Sequence, residues 1–304
     1  MTKGICLVHR IFLAFLLALA LVTASVPRAE AAASARAVKK TIEHSLRLDG
    51  TVAVTAEGQV EDVVLKDAGR IPPGVEAFVQ DAVRRWQFEP ARDAEGHAFS
   101  VRAPMSLRLV AGQAEDGGHV VSIRGASFTE YDPDDLSSVA YLDMVVPRYP
   151  DRAVRARIEG DAYMGVKVGR DGRVEDVATR QVNLHAYGTE RVMEKWRGLL
   201  AAAAAKAIRE WTFRVPTEGP LAGESYWQVM VPIAFRLRES PDESSGSATL
   251  LWTTYVPGPK HQLPWEDPSG PSDSSSPDVL AEGGVYMRHD VRPRIRLLTP
   301  LGER

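Results

Sequence analysis

The stretch Pro147–Val177, PRYPDRAVRARIEGDAYMGVKVGRDGRVEDV, predicts a rigid entry segment followed by a β-hairpin. The two prolines of its Pro-x-Tyr-Pro opening fix φ and keep the chain extended. Side chains over residues 163–169 then alternate with the period of a strand. Asp171-Gly172 is a hairpin turn signal, because glycine adopts positive φ without steric cost. Val174–Val177 is therefore predicted to return as the partner strand.

Downstream, the sequence predicts one long helix and a final strand. Thr189 is a good N-cap residue, and Glu190 suits the first turn of a helix. Apolar residues then recur at helical spacing: Val192, Trp196, Leu199, Leu200, Ala203, Ala207, Ile208 and Trp211. After Trp211-Thr212-Phe213, the segment Gln228–Leu237 is predicted as the last strand.

Taken in this order, these landmarks resemble the C-terminal domain of TonB-type energy transducers, over about Val146 to Arg238. That family shows a Pro-x-Tyr-Pro start, Gly-x-Val strands, a helix ending in Trp-x-Phe and a last strand. The resemblance implies an α+β fold in which one main helix packs on an antiparallel sheet. It also implies that the domain captures a short segment of an outer-membrane receptor by adding it to a sheet edge.

An earlier part of the chain repeats these landmarks. Gly58–Val63 matches Gly172–Val177, Trp86-Gln87-Phe88 matches Trp211-Thr212-Phe213, and Val101, Pro104, Arg108 and Leu109 match Val229, Pro232, Arg236 and Leu237. The sequence therefore predicts two small TonB-C-like domains, at 40–110 and 146–238. The first is a degenerate copy without the Pro-x-Tyr-Pro lead-in. Residues 111–145 are predicted to be a linker with a short strand, and 239–304 an irregular Ser/Pro-rich tail that can end in a strand.

Residues 1–31 have the layout of a secretory signal peptide, with a basic start, the apolar run Ile11–Val22 and the cleavage site Ala29-Glu30-Ala31. This layout predicts export to the periplasm of a Gram-negative cell envelope. The alternative is a single uncleaved anchor in the inner membrane. An anchor requires the apolar run to extend to Val26, because a bilayer span needs about 20 residues.

No motif in the sequence has the spacing of a catalytic, cofactor or metal site. The chain contains no nucleophile elbow, P-loop, H-E-x-x-H or C-x-x-C, and its only cysteine, Cys6, lies in the leader. The acidic cluster Asp132–Asp135 lacks the glycine and the distal glutamate of a calcium-binding loop. A formal net charge of −3 argues against nucleic-acid binding. The sequence therefore predicts a non-catalytic protein without cofactor or metal.

The predicted partner-binding surface combines the lead-in with the edge of the last strand. Edge strands present unpaired N–H and C=O groups to an extended peptide, and Pro232 favours an edge position. By resemblance, the surface comprises Pro147, Tyr149, Pro150, Gln228, Val229, Val231, Ile233 and Phe235. The expected partner is an outer-membrane receptor or another envelope protein, and edge pairing also allows a homodimer. In the competing arrangement, the C-terminal tail or the repeat counterpart covers this strand.

Two other functions stay open at this point. An anchored chain would be an energy transducer coupled to an ExbB–ExbD-like motor. Against this, Ile5 stands where the family's Ser-x-x-x-His pattern needs a serine before His9, and no long Pro-rich spacer precedes the first domain. The second is an envelope ligand-binding protein or enzyme that reuses the fold. It would show a pocket with convergent polar groups.

Overall fold

A computed structural model of the chain describes residues 34–93, 95–113, 119–237, 252–266, 277–287 and 295–302. The predicted leader at 1–31 and the Ser-rich stretch at 240–247 lie outside the described residues. The fold is α+β, and its sheets are antiparallel. Within the described residues, no helix is both long enough and apolar enough to cross a membrane.

The strands are β1 (Glu43–Val54), β2 (Val60–Leu65), β3 (Phe88–Glu89), β4 (Val101–Gln113), β5 (His119–Ser127), β6 (Ala140–Asp143), β7 (Gly160–Gly169), β8 (Val174–Leu184), β9 (Thr212–Arg214), β10 (Tyr226–Phe235), β11 (Thr253–Tyr255), β12 (Tyr286–Met287) and β13 (Arg296–Leu297). The helices are α1 (Pro73–Arg84), α2 (Asp151–Arg155) and α3 (Glu190–Ile208). Residues 34–39 are also helical, and single 3₁₀ turns lie at Ala68–Arg70 and Pro277–Val279.

The first sheet has the strand order β11-β1-β4-β5, with β2 also paired to β1. Alternate side chains of β1 point to opposite faces. Leu46 and Leu48 therefore pack with Val79 and Val83 of α1 in one apolar core. Arg47 lies on the other face, opposite Arg108 of β4 in the strand register. We call β1, β2, α1, β3 and β4 the first unit.

The second sheet has the order β12-β10-β7-β8. Leu200, Ala204 and Ile208 of α3 share a core with Met164 and Val166 of β7. Helix α3 begins after Thr189, as predicted, but the Thr189 side chain makes no capping hydrogen bond. The Glu190 N–H donates instead to the Ser34 hydroxyl at 3.0 Å. We call β7, β8, α3, β9 and β10 the second unit.

The two units have the same order of elements: a hairpin, a helix, a short strand, and a long strand paired to the start of the hairpin. Each hairpin turn holds a glycine with positive φ, Gly58 at 84° and Gly172 at 75°. The glycine carbonyl accepts the N–H of the aromatic residue after the helix, Phe88 or Phe213, at 2.8 Å in both units. The landmarks matched in the sequence therefore occupy matching places.

The segments between and after the units are more regular than predicted. Within the predicted linker at 111–145, β5 pairs with β4 and β6 pairs with β9. The described parts of the tail form three strands, and β11 extends the first sheet beside β1. The prediction of an irregular tail is therefore wrong at β11, whereas β12 and β13 lie in the last part of the tail, where a strand was expected. Their backbone polar groups are paired in the sheets instead of being left to solvent.

The prediction that Gln228–Leu237 is an open edge strand is also wrong near the beginning of this segment. Strand β12 of the tail pairs with β10 at Val229 and Met230, so β10 lies between β7 and β12. Pro232 is tolerated because this short ladder ends before it and needs no N–H at that position. The arrangement corresponds to the alternative in which the tail covers the last strand.

Candidate functional site

The Pro-x-Tyr-Pro lead-in is held against the second unit by its tyrosine. The Tyr149 hydroxyl donates to the Ile158 carbonyl at 2.7 Å, and its ring meets the edge of Phe235 with centroids 5.3 Å apart. Burial and the nearby Glu159 raise the pKa of Tyr149 to about 12. The hydroxyl therefore stays a neutral donor at physiological pH. Pro150 follows as the N-cap residue of α2.

A groove of about 420 Å³ lies between this lead-in and α3. It is lined by apolar residues with charges at intervals: Val145, Val146, Arg148, Tyr149, Pro150, Asp151, Leu199, Ala202, Ala203, Lys206, Ala207 and Glu210. An apolar surface with interspersed charged groups has the composition of a protein-binding interface. Two of the predicted site residues, Tyr149 and Pro150, contribute to it.

The chain that leads into the groove exposes a run of large apolar side chains. Leu142 is 72% exposed and Val146 is 77% exposed, with Met144 and Val145 between them also exposed. The segment is nevertheless fixed in place, because the Trp211 indole donates to the Val145 carbonyl at 2.7 Å. Among the residues that the structure describes, the backbone N–H groups of Val146 and Arg148 have no hydrogen-bond acceptor.

The β10 residues of the predicted surface do not line this groove. Val229, Val231, Ile233 and Phe235 are buried in the core beneath α3. The Gln228 side-chain oxygen is buried too, without a hydrogen-bond partner among the described residues. These side chains do not form one surface with Pro147 and Pro150. The prediction is wrong for Val229, Val231, Ile233 and Phe235 as contact residues, because these odd-numbered side chains of β10 point into the core.

Sequence reasoning missed a buried ionic cluster around Arg108. This arginine is 5% exposed and binds Glu43 and the Tyr255 hydroxyl. Its Nε lies 2.8 Å from Oδ2 of Asp278 in the tail. Burial alone would lower the pKa of Arg108, but Asp278, Tyr255 and Glu43 outweigh burial and raise it. The arginine is therefore a permanent cation held by acids from distant parts of the chain.

A second cluster surrounds Asp161 at the start of β7. One carboxylate oxygen lies 2.7 Å from the His185 ring and the other 2.6 Å from Arg236, which also binds Glu282 of the tail at 3.1 Å. Burial opposes ionisation of Asp161, yet the hydrogen bond from His185 and the charge of Arg236 outweigh burial and lower its pKa. Burial raises the pKa of Glu282 despite Arg236.

One signal could have located both clusters. The internal match places Arg108 and Arg236 at equivalent positions, and each binds one acid of its own unit and one acid of the tail. The partners could not be inferred from spacing, because Asp278 and Glu282 are far from both arginines in sequence.

A larger cleft of about 640 Å³ lies over the outer face of the first sheet. Residues of β1, β2 and β4 form one wall, residues 127–131 a second, and residues 279–286 of the tail a third. No pattern in the sequence indicates this cleft, since each wall comes from a separate part of the chain. No group of three His, Cys, Asp or Glu residues that could hold a metal ion is found among the described residues.

Comparison with known proteins adds no assignment: no family model matches the chain, and no match is found among curated proteins or solved structures.

Proposed function

We propose that this chain is a non-catalytic interaction protein of a Gram-negative cell envelope, built from two TonB-C-like units. Its partner is an outer-membrane protein or another envelope protein that offers an extended apolar segment. The observation that carries the proposal is the exposed segment 142–146 beside the groove on α3, in which every residue except Asp143 is large and apolar. Contiguous exposed apolar residues of this kind mark interaction sites.

The proposed mode of binding is strand addition at the lead-in instead of at β10. Val146 and Arg148 lie two residues apart, and Pro147 and Pro150 favour an extended backbone, in which the N–H groups of these two residues point to the same side. Pro147 between them has no N–H to lose. A partner strand could therefore pair along residues 144–148 and place alternate side chains in the groove. Main-chain pairing would supply affinity, and the groove would select apolar side chains.

The experiment measures how much of the purified chain cosediments with isolated envelope membranes. We expect saturable binding that protease treatment of the membranes abolishes, because the partner is a protein. Val146→Asp should weaken binding by about tenfold or more, since a carboxylate in an apolar interface is costly. The control is Val120→Asp, at a valine that is 50% exposed and outside the groove. Equal binding by both variants would contradict the proposal.

The proposed location is tested by the N-terminal residue of the protein recovered from cell fractions. We expect a start near Ala32 in the soluble periplasmic fraction. An intact Met1 in the inner-membrane fraction would contradict this location and favour the energy-transducer function instead.

A further inference from the structure

The cleft over the first sheet has features of a small-molecule site distinct from the interaction groove. Its volume of about 640 Å³ lies within the range of about 300–1,000 Å³ usual for ligand pockets. It lies where the tail meets the first unit, and such boundaries are frequent places for ligand sites. Val64, Tyr131 and Tyr286 contribute apolar surface, while the hydroxyl of Thr51 contributes a polar group.

Most of the charged groups that line the cleft already have partners. Asp49 accepts hydrogen bonds from Arg47 and from the Ser106 hydroxyl, both at 2.7 Å. Glu282 binds Arg236. These charges are therefore balanced before any ligand enters.

Three charged side chains that line the cleft can still form a hydrogen bond or an ion pair with a ligand. Nε of Arg47 is buried and has no hydrogen-bond partner among the described residues. A buried donor without an acceptor is costly, so an acceptor oxygen at this point would be favourable. Within the described ranges, the Lys66 ammonium and the Glu130 carboxylate form neither an ion pair nor a hydrogen bond. The cleft therefore offers the cation of Lys66, the unused Nε–H of Arg47 beside its pair with Asp49, and the carboxylate of Glu130.

We propose that this cleft binds a small zwitterionic molecule of the peptide class, with a free carboxylate and a free ammonium group. The carboxylate lies against Arg47 of β1 and Lys66 in the turn directly after β2, and both residues line the cleft. The ammonium lies against Glu130, on the segment after β5. Charge-assisted hydrogen bonds of this kind are about twice as strong as neutral ones. A ligand with only one of the two charges leaves the other end of the cleft unused.

The test is isothermal titration of the full chain with trialanine, N-acetyl-trialanine and trialanine amide. Trialanine should bind with a dissociation constant on the order of 1 mM or tighter. Acetylation and amidation should each weaken binding by about tenfold, because each removes one charge-assisted contact. In Glu130→Gln, acetylation should no longer matter. In Lys66→Gln, the penalty for amidation should fall while that for acetylation remains.

The matched control variants are Glu194→Gln and Lys195→Gln, at exposed positions of α3 away from the cleft. Both should reproduce the wild-type pattern. All four altered side chains are exposed, so the variants should keep the fold, which circular dichroism checks. Absence of saturable trialanine binding would overturn the proposal. Equal affinities for the three peptides, or the same changes in the control variants, would overturn it as well. None of these outcomes depends on the envelope partner.

Discussion

At the scale of single residues, the environment of an arginine decides what it contributes. Arg102 and Arg108 lie on the same strand, six residues apart, and their side chains emerge on the same face of β4. Arg102 is exposed and lies 3.6 Å from Asp62, whereas Arg108 is enclosed between Glu43, Tyr255 and Asp278. Exposed ion pairs contribute little, while a buried acid that loses its cation is strongly destabilising.

We expect Arg108→Leu to lower the free energy of unfolding by about 3–5 kcal/mol, because Asp278 would stay buried and Glu43 partly buried without a cation. Arg102→Leu, the matched control, should change it by at most about 1 kcal/mol. Urea unfolding followed by tryptophan fluorescence measures both. Similar transition midpoints for the two variants would show that the cluster is not a determinant of stability.

A second expectation at this scale concerns acid pH. The pKa of Asp161 is lower in the folded chain than in the unfolded chain, where it is about 3.9. Its contribution to stability is therefore complete above the unfolded value and is lost as pH falls through the lower folded value. Asp161→Asn should be less stable than wild type at pH 7, and the difference should shrink in this acid range. The measurement is the unfolding midpoint between pH 7 and pH 2. A difference that does not depend on pH would contradict the assignment.

At the scale of elements, each hairpin turn is tied to the short strand that follows the helix. A side-chain Cβ at Gly172 would lie 2.2 Å from the Phe213 carbonyl oxygen, and at Gly58 it would lie 2.1 Å from that of Phe88. Two features therefore require glycine at each of these turns: the positive φ and the close approach of the neighbouring backbone. The consequence is that turn, short strand and helix end are fixed together in each unit.

We expect Gly172→Ala to destabilise the protein by at least about 2 kcal/mol, from the positive φ and from the clash with backbone. Gly198 provides the control: it lies in α3 with open space around it. Gly198→Ala should stabilise by about 0.5–1 kcal/mol, because alanine favours the helix. Thermal unfolding of both variants measures the difference. A neutral Gly172→Ala would show that the turn can move away from Phe213.

At the scale of the whole molecule, the tail is part of the packed structure. It pairs with the first unit through β11 and with the second unit through β12. Its acids Asp278 and Glu282 bind Arg108 and Arg236. Leu263 is buried over Gly165 of β7, where a Cβ would lie 2.4 Å from the leucine side chain. The two units are therefore joined by one segment that contacts both.

We expect Leu263→Ala to lower the free energy of unfolding by about 2–5 kcal/mol, the usual effect of removing a buried leucine side chain. The control is Leu298, a half-exposed leucine of the same tail. Leu298→Ala should change the free energy of unfolding by at most about 0.5 kcal/mol. Differential scanning calorimetry measures both. A neutral Leu263→Ala would mean that the tail does not stabilise the second unit.

The sequence alone was sufficient for features that depend on local physics. The hairpin at Asp171-Gly172 and the start of α3 after Thr189 both lie where the sequence predicts them. These signals are local because they arise from φ preferences, capping and side-chain periodicity within one element. The internal match likewise identified equivalent glycines, aromatic residues and arginines in the two units.

Only the tertiary structure decided which surfaces stay open. Strand β10 has the pattern of a half-buried strand whether or not another strand lies beside it, so its coverage by β12 could not be read from its residues. The same holds for the acids that bind Arg108 and Arg236, since ion pairs depend on distance in space and not along the chain. Burial, open strand edges and the two cavities depend on contacts between segments that lie far apart in the sequence. Local sequence therefore determined the elements of this protein, and long-range packing determined its candidate sites.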